Sequence, residues 1–202
     1  MKTNLTFMSV LTLIVLLMAG PAAAQSSRAL QSFQKERNTI NKAGMLVLGS
    51  WAIGNILLGA YGNQKATGEA KYVHQFNAMW NLVNLGIATF GYVNATTLDP
   101  SAMSNREILK EFGSLQNLLL LNAGLDVAYM ATALYLKERA KSSENGERLR
   151  GYGNSLLLQG AFLLVFDSAL YFIHENNASI NLYPQIGNLV GGSVGVGLTL
   201  NF

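Results

Sequence analysis

Cysteine is absent from the 202-residue chain. That excludes a disulfide framework, a thiolate metal site, a catalytic thiol and a lipidated cysteine anchor. It does not exclude export, because not every exported protein uses disulfides. Charge is scarce as well: Asp, Glu, Lys and Arg make up 12% of the chain, about half the share of a soluble domain. The formal net charge of +3 is far too small for a nucleic-acid footprint, with or without Lys2. Histidine occurs only at His74 and His174, and no His-x-x-x-His or Glu-x-x-His spacing exists, so no metal site is expected. Ser114 and Ser168 lie in no Gly-x-Ser-x-Gly elbow, and the glycines at 191, 192, 195 and 197 follow no strand–turn–helix plan for a phosphate. No catalytic residue, cofactor or nucleic-acid partner is therefore expected.

What is present is apolar sequence in long runs. The N-terminus reads as a secretory signal peptide over residues 1–24: Lys2, an apolar stretch from Leu5 to Met18, then Gly20-Pro21 and Ala22-Ala23-Ala24 before Gln25. The apolar run of about fourteen residues suits a signal core and is short for a membrane span. An uncleaved anchor helix is the alternative.

Four charge-poor stretches follow, which predict spans at about 43–62, 76–98, 113–136 and 154–174. The first two carry no Asp, Glu, Lys or Arg; the third holds Asp126 and the fourth Asp167. A soluble four-helix bundle would need a charged face at helical period, and the first two stretches have none anywhere around the helix. The expected fold is thus all-α, a membrane-spanning four-helix bundle of two helical hairpins over residues 25–175. The third span is the weakest. Between Leu115 and Leu136 each of eight leucines contributes about −0.3 to −0.6 kcal/mol to insertion, whereas Asp126 opposes it by about 2.5 to 3.5 kcal/mol.

A cleaved signal leaves residue 25 outside, which makes the first and third connectors cytoplasmic. They carry Lys65, Lys71, Lys137, Arg139, Lys141, Arg148 and Arg150, against Arg106 and Lys110 in the middle connector and none after Arg150. This is the positive-inside pattern, opposed only by Arg28, Lys35, Arg37 and Lys42. The expected location is a bacterial inner membrane with both mature ends on the periplasmic side. The expected partners are the lipid bilayer and either a second copy or another membrane protein. Asp99-Pro100-Ser101 in the middle connector is a helix-stop and N-cap signal.

Two further patterns stand out. Trp51-x-x-x-Asn55 with Tyr61-Gly62 recurs as Trp80-x-x-x-Asn84 with Phe90-Gly91 at an offset of 29. A duplicated helical element and coincidence in apolar sequence both account for it. Residues 176–202 form a glycine-rich tail whose end alternates at strand period through Val194, Val196, Leu198, Leu200 and Phe202. A barrel needs at least eight strands and the chain supplies no others, so an extended tail on the bundle or membrane surface is expected.

Polar residues within the spans should face the bundle interior. Counted from the outer ends, Asn55, Asn84 and Asp126 lie roughly 18–21 Å deep and form a candidate cluster near the midplane. Asp167 lies shallower, nearer the level of Asn122, and makes a second candidate site with Asn122 and Tyr171. Such acids can serve a proton, ion or solute path, or they can be neutral hydrogen-bonding glue between helices. No Lys or Arg in any span pairs with them, which suits glue.

Asn41-Lys42-x-Gly44-Met45-x-Val47-Leu48-Gly49-x-Trp51-Ala52-x-Gly54-Asn55, followed by Lys71-Tyr72-x-His74-Gln75-x-Asn77-x-x-Trp80-Asn81-x-x-Asn84-Leu85, resembles a bacterial family of small signal-peptide-bearing multi-helix membrane proteins classed as a domain of unknown function. The resemblance is most specific over residues 35–92, and the layout continues to Phe202. It implies a compact helical membrane domain and supplies no activity or ligand. The leading expectation is a non-enzymatic interaction or envelope-support module. A small transporter using Asp126 and Asp167 stands second and an intramembrane enzyme third.

Overall fold

A computed structural model describes residues 3–187, with side chains from Ser27 onward. Four long helices account for most of it: α1 (Thr3–Lys65), α2 (Gly68–Thr97), α3 (Asn105–Arg139) and α4 (Gly146–Asn181). No strand occurs among the described residues, and the fold is all-α. The alternating tail from 188 to 202 lies outside them.

Sequence chemistry sets the breaks between helices. Between α1 and α2 only Ala66 and Thr67 are non-helical, and Gly68 turns the chain at φ +57°, a conformation that a Cβ penalises. After α2, Asp99 caps a short 3-10 turn at Pro100–Ala102, accepting bonds from the Ser101 hydroxyl at 2.8 Å and the Ser101 N–H at 2.9 Å. Those bonds hold its carboxyl below the usual carboxylate range. Ser104 and Glu107 then start α3 with a capping box: the Ser104 N–H donates to Glu107 Oε2 at 2.8 Å and the Glu107 N–H donates to Ser104 Oγ at 3.3 Å.

The chain forms two compact units. The larger comprises Arg37–Leu98 and Lys110–Glu175. Within it α1 and α2 run antiparallel, since Gly59 abuts Ala78 and Gly49 abuts Ala88. A Cβ on Gly59 would sit 2.6 Å from the His74 carbonyl oxygen, so glycine permits that close approach. α3 and α4 form a second antiparallel pair, with Gly153 against Ala133 and Gly160 against Met130. α4 also touches the first pair. A Cβ on Gly151 would meet the Glu69 carbonyl oxygen at 2.6 Å, and nearby Arg150 Nε donates to Glu69 at 3.0 Å.

The smaller unit contains the described parts of Met1–Glu36, Asp99–Leu109 and Asn176–Phe202. Leu30, Phe33, Ile108, Ala178 and Leu182 are buried in it. Asn105 Nδ2 donates to Ser27 Oγ at 3.3 Å and Asn181 Nδ2 donates to Asn177 Oδ1 at 2.7 Å. The sequence places an extended tail from Asn176, but α4 continues to Asn181 and helical residues resume at 183–187. The physical reason is the buried face of Ala178 and Leu182, four residues apart on one side of the helix.

Three segments are long and apolar enough to cross a membrane: Ser27–Lys65, Asn105–Ser142 and Gly146–Asn181. This reverses the order expected from charge alone. α3, the weakest by its aspartate, qualifies; α2, free of charge between His74 and Asp99, does not. Asparagine explains the reversal. Asn77, Asn81, Asn84 and Asn94 add no charge, yet each is strongly polar, and the first three are buried.

Candidate functional site

Two polar centres lie inside the larger unit. The first joins α1, α2 and α4. Trp51 Nε1 donates to Gln159 Oε1 at 3.0 Å, and Gln159 Nε2 donates to Asn77 Oδ1 at 3.0 Å and to Asn55 Oδ1 at 3.4 Å. The Ser155 hydroxyl also donates to Asn77 Oδ1, and Asn81 Nδ2 donates to the Asn77 carbonyl oxygen at 2.9 Å. Asn55 Nδ2 donates to the Trp51 carbonyl oxygen at 2.9 Å. The Trp51 ring stacks on Phe162 with centroids 3.9 Å apart. Gln159, Ser155 and Asn81 are wholly inaccessible, so the bonds they make with Asn77 are made away from solvent. Both oxygen and nitrogen of the Gln159 amide are used, and they fasten three helices at one point.

The second centre is a cavity of about 390 Å³ lined from all four helices. Leu48, Leu119, Leu163 and Leu170 form its buried apolar wall, and Trp80, Tyr129 and Phe166 contribute rings. Trp80 and Tyr129 meet edge to face at 4.9 Å. Asn41, Asn84, Asn122, Asp126 and Asp167 are its carboxyl and amide lining residues, so Asp167, Asp126 and Asn122 line it together. Unlike the first centre, this one is incomplete. Asp126 is 2% exposed, yet its Oδ2 has no hydrogen-bond partner, and neither has the buried Trp80 Nε1.

A third polar group sits toward the start of α3. Arg37, itself 3% exposed, donates through Nη2 to Glu111 at 3.0 Å. Asn38 Nδ2 donates to the Leu98 carbonyl oxygen at 3.3 Å, Gln116 Nε2 donates to Glu175 at 2.8 Å, and His174 Nε2 bonds Asn41 Oδ1 at 2.8 Å. Among the described residues no group of three or more His, Cys, Asp or Glu is placed to hold a metal ion.

The residues singled out from sequence are regrouped. Asn122 and Asp167 line one cavity. Asp126 lines the cavity with them instead of forming a separate deeper site, because it lies one helical turn from Asn122 on the same face of α3. Asn84 lines the same cavity, while its Nδ2 donates to Asn81 Oδ1 at 3.3 Å. Asn55 belongs to the first centre. Depth along a helix does not fix direction around it, and Asn55 faces α4. Tyr171 does not line the cavity; its ring packs edge-on against Phe172 at 5.5 Å.

Ser155 and Gln159 are the functional side chains that sequence reading missed. They lie four residues apart on one face of α4, opposite the Asn77–Asn81–Asn84 stripe that needed partners. That spacing was the available signal. No curated protein and no solved structure matches the chain. The model of a family of unknown function, DUF6992, matches residues 47–168, a stretch that includes Trp51, Gln159, Asp126 and Asp167, and the chain belongs to that family.

Proposed function

We propose that this is a non-enzymatic integral protein of a bacterial inner membrane, an interaction or envelope-support module that crosses the bilayer four times. The observation that carries the proposal is an inverted polarity. Leu58, Phe90 and Val165 are 67%, 77% and 70% exposed, while Asn81, Ser155 and Gln159 are fully buried. Lipid favours that arrangement, since apolar side chains are at home outside and polar ones are satisfied between helices. α2 crosses as the partner of α1 with its asparagines covered.

Removal of the signal peptide after Ala24 leaves both mature ends on the periplasmic side. The smaller unit supports this topology, because it gathers the start of the mature chain, the middle connector and the end of α4, three segments assigned to one side. Glu69 of the first connector pairs with Arg150 of the third, as segments on the opposite side should. Pairing with Glu111 also neutralises Arg37, one of the cations that oppose the positive-inside pattern. The chain lacks cysteine, so single cysteines at positions 65, 105 and 145 report topology without background. An impermeant thiol reagent added outside should label 105 and spare 65 and 145. Labelling of 145 from outside overturns the topology.

One observation favours a second reading, a small transporter: the carboxyl pair faces a cavity. Asp126→Asn in reconstituted vesicles separates the two. An interaction module tolerates the isostere. If the variant folds but abolishes proton or solute flux, the module gives way to the transporter.

A further inference from the structure

The cavity between the helices carries a chemistry that the chain itself does not complete. Its volume of about 390 Å³ lies in the range of small-molecule sites. Among the described residues that line it there is no Lys, Arg or His. Asp126 and Asp167 both line it, and no protein cation lines it beside them. Asp126 Oδ2 is buried, faces no donor, and belongs to a side chain that lines the cavity. A buried acceptor without a donor is costly, and a bound donor that also carries positive charge removes both deficits at once.

The rest of the lining narrows the ligand. Two acids and three amides line it, and among the described residues no group of three or more His, Cys, Asp or Glu is placed to hold a metal ion. Aliphatic side chains and the rings of Trp80, Tyr129 and Phe166 make up the remainder, and ring faces attract organic cations. The route of entry is also readable. Val83 and Ile87 on α2 and Leu118 and Leu125 on α3 line the cavity and are 42% to 63% exposed, so its mouth opens sideways between those helices. From sequence position, that mouth falls within the predicted spans.

We propose that this cavity binds a monovalent organic cation, a protonated amine on an apolar body, which enters from the bilayer between α2 and α3 and donates to Asp126. The amine can come from a free amphiphile or from a lipid headgroup, which share this chemistry. The proposal rests on the membrane reading for its route of entry but not for its ligand, so the cysteine labelling above and the binding measurement fail separately.

The test is calorimetric titration of the full chain in phosphatidylcholine nanodiscs with 4-phenylbutylamine and its neutral counterpart 4-phenylbutanol. The amine should bind saturably and about tenfold or more tighter than the alcohol, the factor expected of one charge-assisted hydrogen bond. Asp126→Asn should abolish that preference. Leu125→Trp, which narrows the mouth and leaves both acids in place, should weaken the amine and provides the test if the aspartate variant does not fold. Competition by phosphatidylethanolamine added to the nanodisc would identify the lipid amine as the occupant, and its absence a free amphiphile. Equal binding of amine and alcohol, or undiminished amine binding in both variants, overturns the proposal.

Discussion

Trp51 and Trp80 stand at matching places in two helices that echo each other, and their indole N–H groups are treated differently. Trp51 donates to Gln159 in a centre where amide and hydroxyl groups are matched across three helices. Trp80 borders the cavity, where its N–H and one oxygen of Asp126 are both buried and unmatched. The two centres are similar in residue type and differ in completion. Polar residues within apolar helices therefore do not have one meaning. Where every group has a partner they hold helices together, and where some do not, space has been kept for something else.

The sharpest way to break this contrast is Gln159→Leu. It removes three hydrogen bonds and leaves the Trp51 N–H buried without an acceptor, so a loss of about 3 kcal/mol is expected in unfolding from detergent. An unchanged midpoint would mean that the first centre is not glue. Trp51→Phe should follow, losing about 1–2 kcal/mol more than Trp80→Phe. Both replacements remove similar ring volume, so the difference isolates the hydrogen bond that only Trp51 makes. Equal losses would erase the distinction between the centres. Asp126→Asn should come next, with a change of less than about 1 kcal/mol, since the amide keeps the shape and can donate to Asp167. Trp80→Phe itself should be the mildest with respect to hydrogen bonding, and near-unchanged amide exchange at Asn77 and Gln159 would show that the first centre is untouched.

Much of the fold was legible because absence of charge over twenty or more residues has few explanations. The breaks were partly legible. Asp99-Pro100-Ser101 acts as the sequence suggested, whereas the Ser104–Glu107 capping box went unnoticed beside it. The end of α4 was not legible, because Asn176, Asn177 and Ser179 look like a loop until Ala178 and Leu182 are seen to be covered. For the candidate site, counting residues put Asn122 and Asp167 together, and both line the cavity. It could not give the turn around the axis that sends Asn55 to Gln159 and Asp126 to the cavity. The weakness of α2 was hidden for a related reason. Counting charges treats asparagine like alanine, and lipid does not.

The fastening through Gln159 has a consequence for how the protein is made. Trp51 and Gln159 are 108 positions apart, and Asn77 and Gln159 are 82 apart. Synthesis runs from the N-terminus, so the Trp51 N–H and the Asn77 side-chain oxygen must wait for these partners until the last helix arrives. A chain that stalls before Gln159 leaves both groups without the partners that α4 supplies. The final helix thus works as a latch, and closing it marks the molecule as finished.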